Sequence, residues 1–175
     1  MSILIDSYNP TTDFYNTVKF GNTTTTGQSF SCNVDTLLNS CVFQISKVGS
    51  PTGNITAVLY AHTGVYGTSS KPTGTVLATS DPIDISTIST TKTNVTFTFS
   101  GVNKYPLTTN KYVILLKYSG TTSLNIWYLT GNGASGNSSY NTAPTTWASL
   151  SGFDYLFFVY GDDIPISNGN FLQFF

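Results

Sequence analysis

His62 is the single imidazole of the chain, so any Ser-His-Asp relay would have to be built on it. It lies in YAHTG, just after a strand-like run, and Ser and Asp are plentiful elsewhere. A serine nucleophile must also be presented on a sharp turn, and no G-x-S-x-G elbow occurs. His62 is therefore expected to be a loop histidine with an ordinary hydrogen bond. Glycoside hydrolysis would need two carboxylates held across a cleft. The acidic residues are eight Asp and no Glu, and no spacing among them suggests such a pair. The expectation is a chain with no catalytic residues, not an enzyme.

Metal and cofactor chemistry fare no better. Asp6, Asp13, Asp154, Asp162 and Asp163 would offer oxygens to Ca²⁺ if the two ends of the chain met, but no D-x-D-x-D loop is present. Solvated loop carboxylates and no metal are expected. Two cysteines with one histidine are too few for zinc. Cys32 and Cys41 flank NVDTLLNS at the ends of two strand-like runs. Paired across that hairpin they would form a disulfide; the alternative is two small buried hydrophobes. GNGASG at 131–136 matches G-x-G-x-x-G, with Asp154 about twenty residues on. The following NSSYNTAPTT cannot open a helix well, so the motif reads as a loop and no cofactor is expected. Sequons at Asn22, Asn54, Asn94 and Asn137 are about as many as the Ser/Thr content alone supplies.

Aromatic side chains are the remaining candidates. Trp127 and Tyr128 in NIWYLT, Tyr140 and Trp147 around the GNGASGNSSYNTAPTTW loop, and Tyr66 in HTGVYG would stack on sugar faces, with Asn and Asp meeting the hydroxyls. The alternative places Trp127 in a core and Trp147 over a sandwich edge.

The elements that must position these residues are strands. Of 175 residues, 29 are Thr, 21 Ser and 15 Asn, while Glu and Arg are absent. Thr favours strands, and the missing residues are strong helix formers. Period-two alternation marks strands near 2–8, 14–20, 27–32, 41–48, 54–61, 75–79, 93–100, 110–118, 123–130 and 153–160. Cys41, Phe43 and Ile45 share a face, as do Ile55, Ala57 and Leu59, and as do Val95, Phe97 and Phe99. The runs 41–48 and 54–61 read as a hairpin closed by GSPTGN. KYVILLKY and DYLFFVY are apolar on both faces, as central strands are. About ten strands with no long helix predict an all-β, two-sheet antiparallel sandwich, and a jelly roll suits the count. One domain spans 1–161. The segment 162–175 carries Phe171, Leu172, Phe174 and Phe175, read either as a last strand on its own sandwich or as an arm contacting another subunit.

Charged residues make up 9% and the net charge is −1. Without clustered cations, nucleic acid is not an expected partner. No apolar span of roughly 18 residues is present, so no membrane insertion is expected. The first residues, MSILIDSYNPTTDF, carry no signal-peptide pattern.

The blocks GQSF (27–30), VFQISKVGSPTGNITAVLYAHTG (42–64), GTSSKPTGTVLATSD (67–81), TFTFSG (96–101), KYVILLKYSG (111–120) and FFVYG (157–161) occur in that order. The set resembles a β-sandwich module of bacterial surface proteins and bacteriophage virion proteins, described as carbohydrate-binding-like or choice-of-anchor. The resemblance implies a jelly-roll-like fold and a non-enzymatic display or adhesion role, with no ligand residues to carry over. Its blocks are made of turn and core positions, such as Gly49, Pro51, Gly53, Asn54, Pro72 and Gly74. Two functions are expected from it. One is a virion structural protein, as a decoration, fibre or tail-associated subunit that contacts other virion proteins or copies of itself. The other is a carbohydrate-binding or adhesion module, extracellular or at a cell surface, with glycans as partners.

Overall fold

The computed structural model describes residues 2–10, 16–20, 25–120, 124–130, 136–143 and 146–164. Its strands are β1 (Ser2–Tyr8), β2 (Asn16–Phe20), β3 (Thr26–Cys32), β4 (Thr36–Lys47), β5 (Asn54–Thr63), β6 (Lys71–Thr79) and β7 (Ile83–Asp84). They continue as β8 (Thr93–Thr98), β9 (Pro106–Leu107), β10 (Asn110–Tyr118) and β11 (Leu124–Thr130). The last are β12 (Ser138–Ala143), β13 (Thr146–Leu150), β14 (Phe153–Tyr155) and β15 (Phe157–Asp162). Two one-turn 3-10 segments, Ile85–Thr87 and Gly101–Asn103, are the helical elements among the described residues.

The strands form two antiparallel sheets, as the alternation predicts. In the first, β4 pairs with β15 along one side and with β8 and β9 along the other. There β1 flanks β15, and β11 takes over beside β4 at Ile45 and carries β2 and β14. The second sheet runs β13-β12-β3-β10-β5-β6, with β7 on β5. Its end strand β13 also approaches β6, so the sheet curls. The chain crosses repeatedly between the sheets of the sandwich. Only β5–β6 and β12–β13 are partners adjacent in sequence among the described strands.

The core lies between the sheets. Cys41, Phe43 and Ile45 of β4 enter it from one side, and Ile55, Ala57 and Leu59 of β5 from the other. Phe43 meets Phe97 edge-on at 6.5 Å and Phe157 at 6.4 Å, while Phe30 stacks on Tyr112 at 5.7 Å. Each such ring removed from water contributes about 1.5–3 kcal/mol. Of the doubly apolar runs, KYVILLKY is the central strand β10, between β3 and β5, while DYLFFVY is split between β14, at the end of its sheet, and the central strand β15, between β1 and β4.

The expected hairpin of 41–48 with 54–61 is not formed. β4 and β5 belong to opposite sheets, and the turn between them crosses the sandwich. Two strands that each bury one apolar face satisfy both by facing each other across the core, not by pairing edge to edge. Gly53, at φ 96°, supplies the turn conformation, and its carbonyl accepts from the Ile85 amide at 3.0 Å.

Of the two readings of the cysteines, the structure takes the second, two small buried hydrophobes. Both are free and buried. Cys32 ends β3 in the second sheet, and its thiol donates to the Val34 carbonyl. Cys41 lies five residues inside β4, in the first sheet. A strand advances about 3.3 Å per residue, so a long stretch of β4 separates Cys41 from the turn that was expected to bring the pair together. Burial pushes both thiols up from their ordinary pKa.

β15 runs through Asp162, one residue past the expected domain boundary. The Asp162 carbonyl accepts from Thr36 Oγ1 at 2.7 Å. Its carboxylate accepts from Asn39 Nδ2 and pairs with Lys104 Nζ, each at 2.7 Å. The hydrogen bond from Lys104 is the main cause holding that carboxyl below its ordinary pKa. Phe171, Leu172, Phe174 and Phe175 lie outside the described residues.

Candidate binding face

The second sheet has a face turned away from the core. On β5 it carries Val58, Tyr60 and His62; on β10, Lys111, Val113 and Leu115; on β3, Ser29 and Ser31. Register places Val113 beside both Ser29 and Tyr60, and Lys111 beside Ser31. Val58, Val113 and Leu115 form a small buried cluster under Tyr60 and Trp147. The Tyr60 and Trp147 rings meet at 6.0 Å and 63°. Trp147 comes from β13, so the β12–β13 hairpin folds back over this end of the face.

The other end is polar. His62 Nε2 lies 2.9 Å from Ser70 Oγ, which also accepts from the Gly67 amide at 3.3 Å. The Asn137 side chain clasps the Ser70 backbone, its Oδ1 accepting from Ser70 N at 3.1 Å and its Nδ2 donating to Ser70 O at 3.4 Å. Tyr66 reaches over from the turn after β5, with its ring 5.6 Å from the imidazole and nearly perpendicular to it. Lys111 Nζ stands 4.8 Å above the centre of the Tyr66 ring. Beside them is a shallow groove of about 260 Å³, lined by Ser31, Cys32, Asn33, Thr109, Asn110 and Lys111.

This geometry sets the chemistry. Ser70 is fully buried, so its hydroxyl is out of reach of a substrate carbonyl. Burial, and secondarily the charge of Lys111, lowers the His62 pKa and favours the neutral ring. Asp154 is buried and accepts from Gln28 Nε2 at 2.8 Å. Asp6 accepts from the Ser31 and Ser7 amides, each at 2.8 Å, which ties β1 to β3 across the two sheets. Burial nevertheless raises its carboxyl pKa, against the pull of those two donors. Asp163 is exposed and Asp13 lies outside the described residues. Among the described residues no three His, Cys or Asp side chains gather as a metal site. Of the GNGASG motif, only Gly136 is described; a Cβ there would lie 2.0 Å from the Ser29 carbonyl oxygen.

The aromatic candidates divide between the sheets. Tyr66 and Trp147 stand on the outer face of the second sheet. Trp127 and Tyr128 are on β11 in the first sheet, opposite Thr17 and Tyr155 respectively. Tyr140 is on β12, between Ala148 and Thr26. The side chains of Trp127, Tyr128 and Tyr140 lie outside the described residues. The groove residues Ser31, Asn33, Thr109, Asn110 and Lys111 carried no signal in the sequence. They are ordinary turn and strand-end residues, and only the pairing of β3 with β10 assembles them.

Comparison with family models, with curated proteins and with solved structures gives no match.

Proposed function

We propose that the chain is a non-enzymatic structural protein of a bacteriophage particle, a decoration, fibre or tail-associated subunit that displays its sandwich on the virion. The observation that carries the reading is how the reactive side chains are used. His62 braces Ser70, Asp6 braces the Ser31 amide, Asp154 holds Gln28, and Asp162 holds Asn39 and Lys104. These groups act as struts, and the surface is left to hydroxyls and amides at a charged content of 9%. The resemblance of six ordered blocks to virion and surface modules points to the same reading. Phe171, Leu172, Phe174 and Phe175 then serve as an arm on a neighbouring subunit.

The test is mass spectrometry of particles purified from a host expressing the tagged full chain or its 1–164 truncation. Stoichiometric peptides from the full chain, and none from the truncation, are expected. Absence of both, with the chain in the medium or at the cell surface, would overturn the virion assignment. A second reading, carbohydrate binding or adhesion, is favoured by one feature: an aromatic ring, a cation and a polar groove meet on one open face. The two readings are compatible, because a displayed subunit can bind cell-surface glycans.

A further inference from the structure

We propose that the groove beside Tyr66 and Lys111 binds an acidic saccharide, a glycan bearing a uronic or sialic acid. The inference deepens the carbohydrate reading above and rests on it. The groove is open and shallow, as a sugar chain approaching along a sheet requires. Next to its Lys111 wall stands the Tyr66 ring, suited to the C–H face of a pyranose. Its rim is rich in donors. Asn33 Oδ1 already accepts from Ser31 Oγ at 3.2 Å, and Asn110 Oδ1 from the Lys111 amide at 2.8 Å. What each amide offers a ligand is therefore its Nδ2 donors. Lys111 adds an exposed ammonium, and Thr109 a hydroxyl. Two carboxylates border the groove, Asp35 and Asp6, and each accepts from a backbone amide of a lining residue, Thr109 at 3.0 Å and Ser31 at 2.8 Å.

Lys111 is the residue that selects for charge. With no ligand it rests over the Tyr66 ring, a contact weaker than a charge-assisted bond to a carboxylate. A sugar carboxylate would draw Nζ away and expose the ring for stacking, so one movement prepares both contacts. A single cation makes a poor site for nucleic acid, which needs several.

The experiment is calorimetry and saturation-transfer NMR on the full chain at low and high salt. The probes are 3′-sialyllactose and tri-galacturonic acid against lactose and maltotriose. Acidic probes should bind and weaken with salt. Lys111→Gln should cost them about tenfold or more in affinity, while Tyr66→Ala should weaken all binding. Both side chains lie at the surface end of the face, and the thermal transition of each variant checks that it folds. Equal binding of neutral probes, with Lys111→Gln unchanged, would overturn the acidic class and leave the carbohydrate reading standing. Binding untouched by Lys111→Gln, Tyr66→Ala and Asn110→Ala would overturn the site alone. No binding by any probe at millimolar concentration would overturn both.

Discussion

Gln28 shows how one residue holds two sheets together. It is fully buried on β3 of the second sheet. Its Nε2 donates to Asp154 at 2.8 Å, and its Oε1 accepts from the Tyr155 amide at 3.1 Å, both on β14 of the first sheet. Next to it, Thr26 Oγ1 and Tyr155 OH meet at 2.7 Å. Gln28→Leu keeps the volume and removes both bonds, taking a donor from a carboxylate that is 1% exposed. The expected loss is about 2–4 kcal/mol in urea denaturation. The double variant Gln28→Leu, Asp154→Leu should recover part of it, because no buried carboxylate is then left without its Gln28 donor. Equal stability of parent and Gln28→Leu would show that the bridge contributes nothing net. Neither Gln28 nor Asp154 was legible as a pair, since 126 positions separate them.

At the scale of elements, strand assignment was more legible than strand partnership. β10 is marked by its apolar run and β8 by its alternation, while the apolar run at 153–160, which reads as one strand, is divided between β14 and β15. The β12–β13 hairpin was not found, because SSYNTA and TWASL show too few apolar positions to set a period. What the sheet requires of β3 is also visible only in three dimensions. Gly27 lies beside Leu115, and a Cβ there would come within 2.0 Å of the Ile114 carbonyl oxygen and 2.6 Å of the Leu115 Cα. Both are backbone atoms of a central strand, so no side chain can turn aside to make room. Gly27→Ala should force β3 and β10 apart and cost about 3 kcal/mol or more, read as a lower urea midpoint. A variant as stable as the parent would mean that the two strands part without penalty.

At the scale of the whole molecule, the two thiols report on the sandwich. Cys32 sits on one sheet and Cys41 on the other, both buried in the common core. A thiolate is the reactive form, and burial disfavours it at both positions. The native protein should therefore resist Ellman's reagent, and both thiols should react once urea unfolds it. If the sheets separate as one cooperative unit, the two cysteines should label at the same rate under native conditions, as read by peptide mass spectrometry. Faster labelling of Cys32 would locate a looser edge at the β3 end of the core.

The sequence by itself determined the class of the fold and much of its buried face. Alternation at Cys41, Phe43 and Ile45, and at Ile55, Ala57 and Leu59, names the side chains that leave water, because residues two apart on a strand share a face. It also made His62 and the aspartates unpromising as catalysts. Only the tertiary structure decided that β4 and β5 face each other across the core, that the cysteines stand on different sheets, and that residues 31–33 meet residues 109–111 beside Tyr66. The physical reason is that alternation encodes which face is buried and is silent on the neighbour. Partnership is settled by packing all the apolar faces at once, over contacts far apart in the chain.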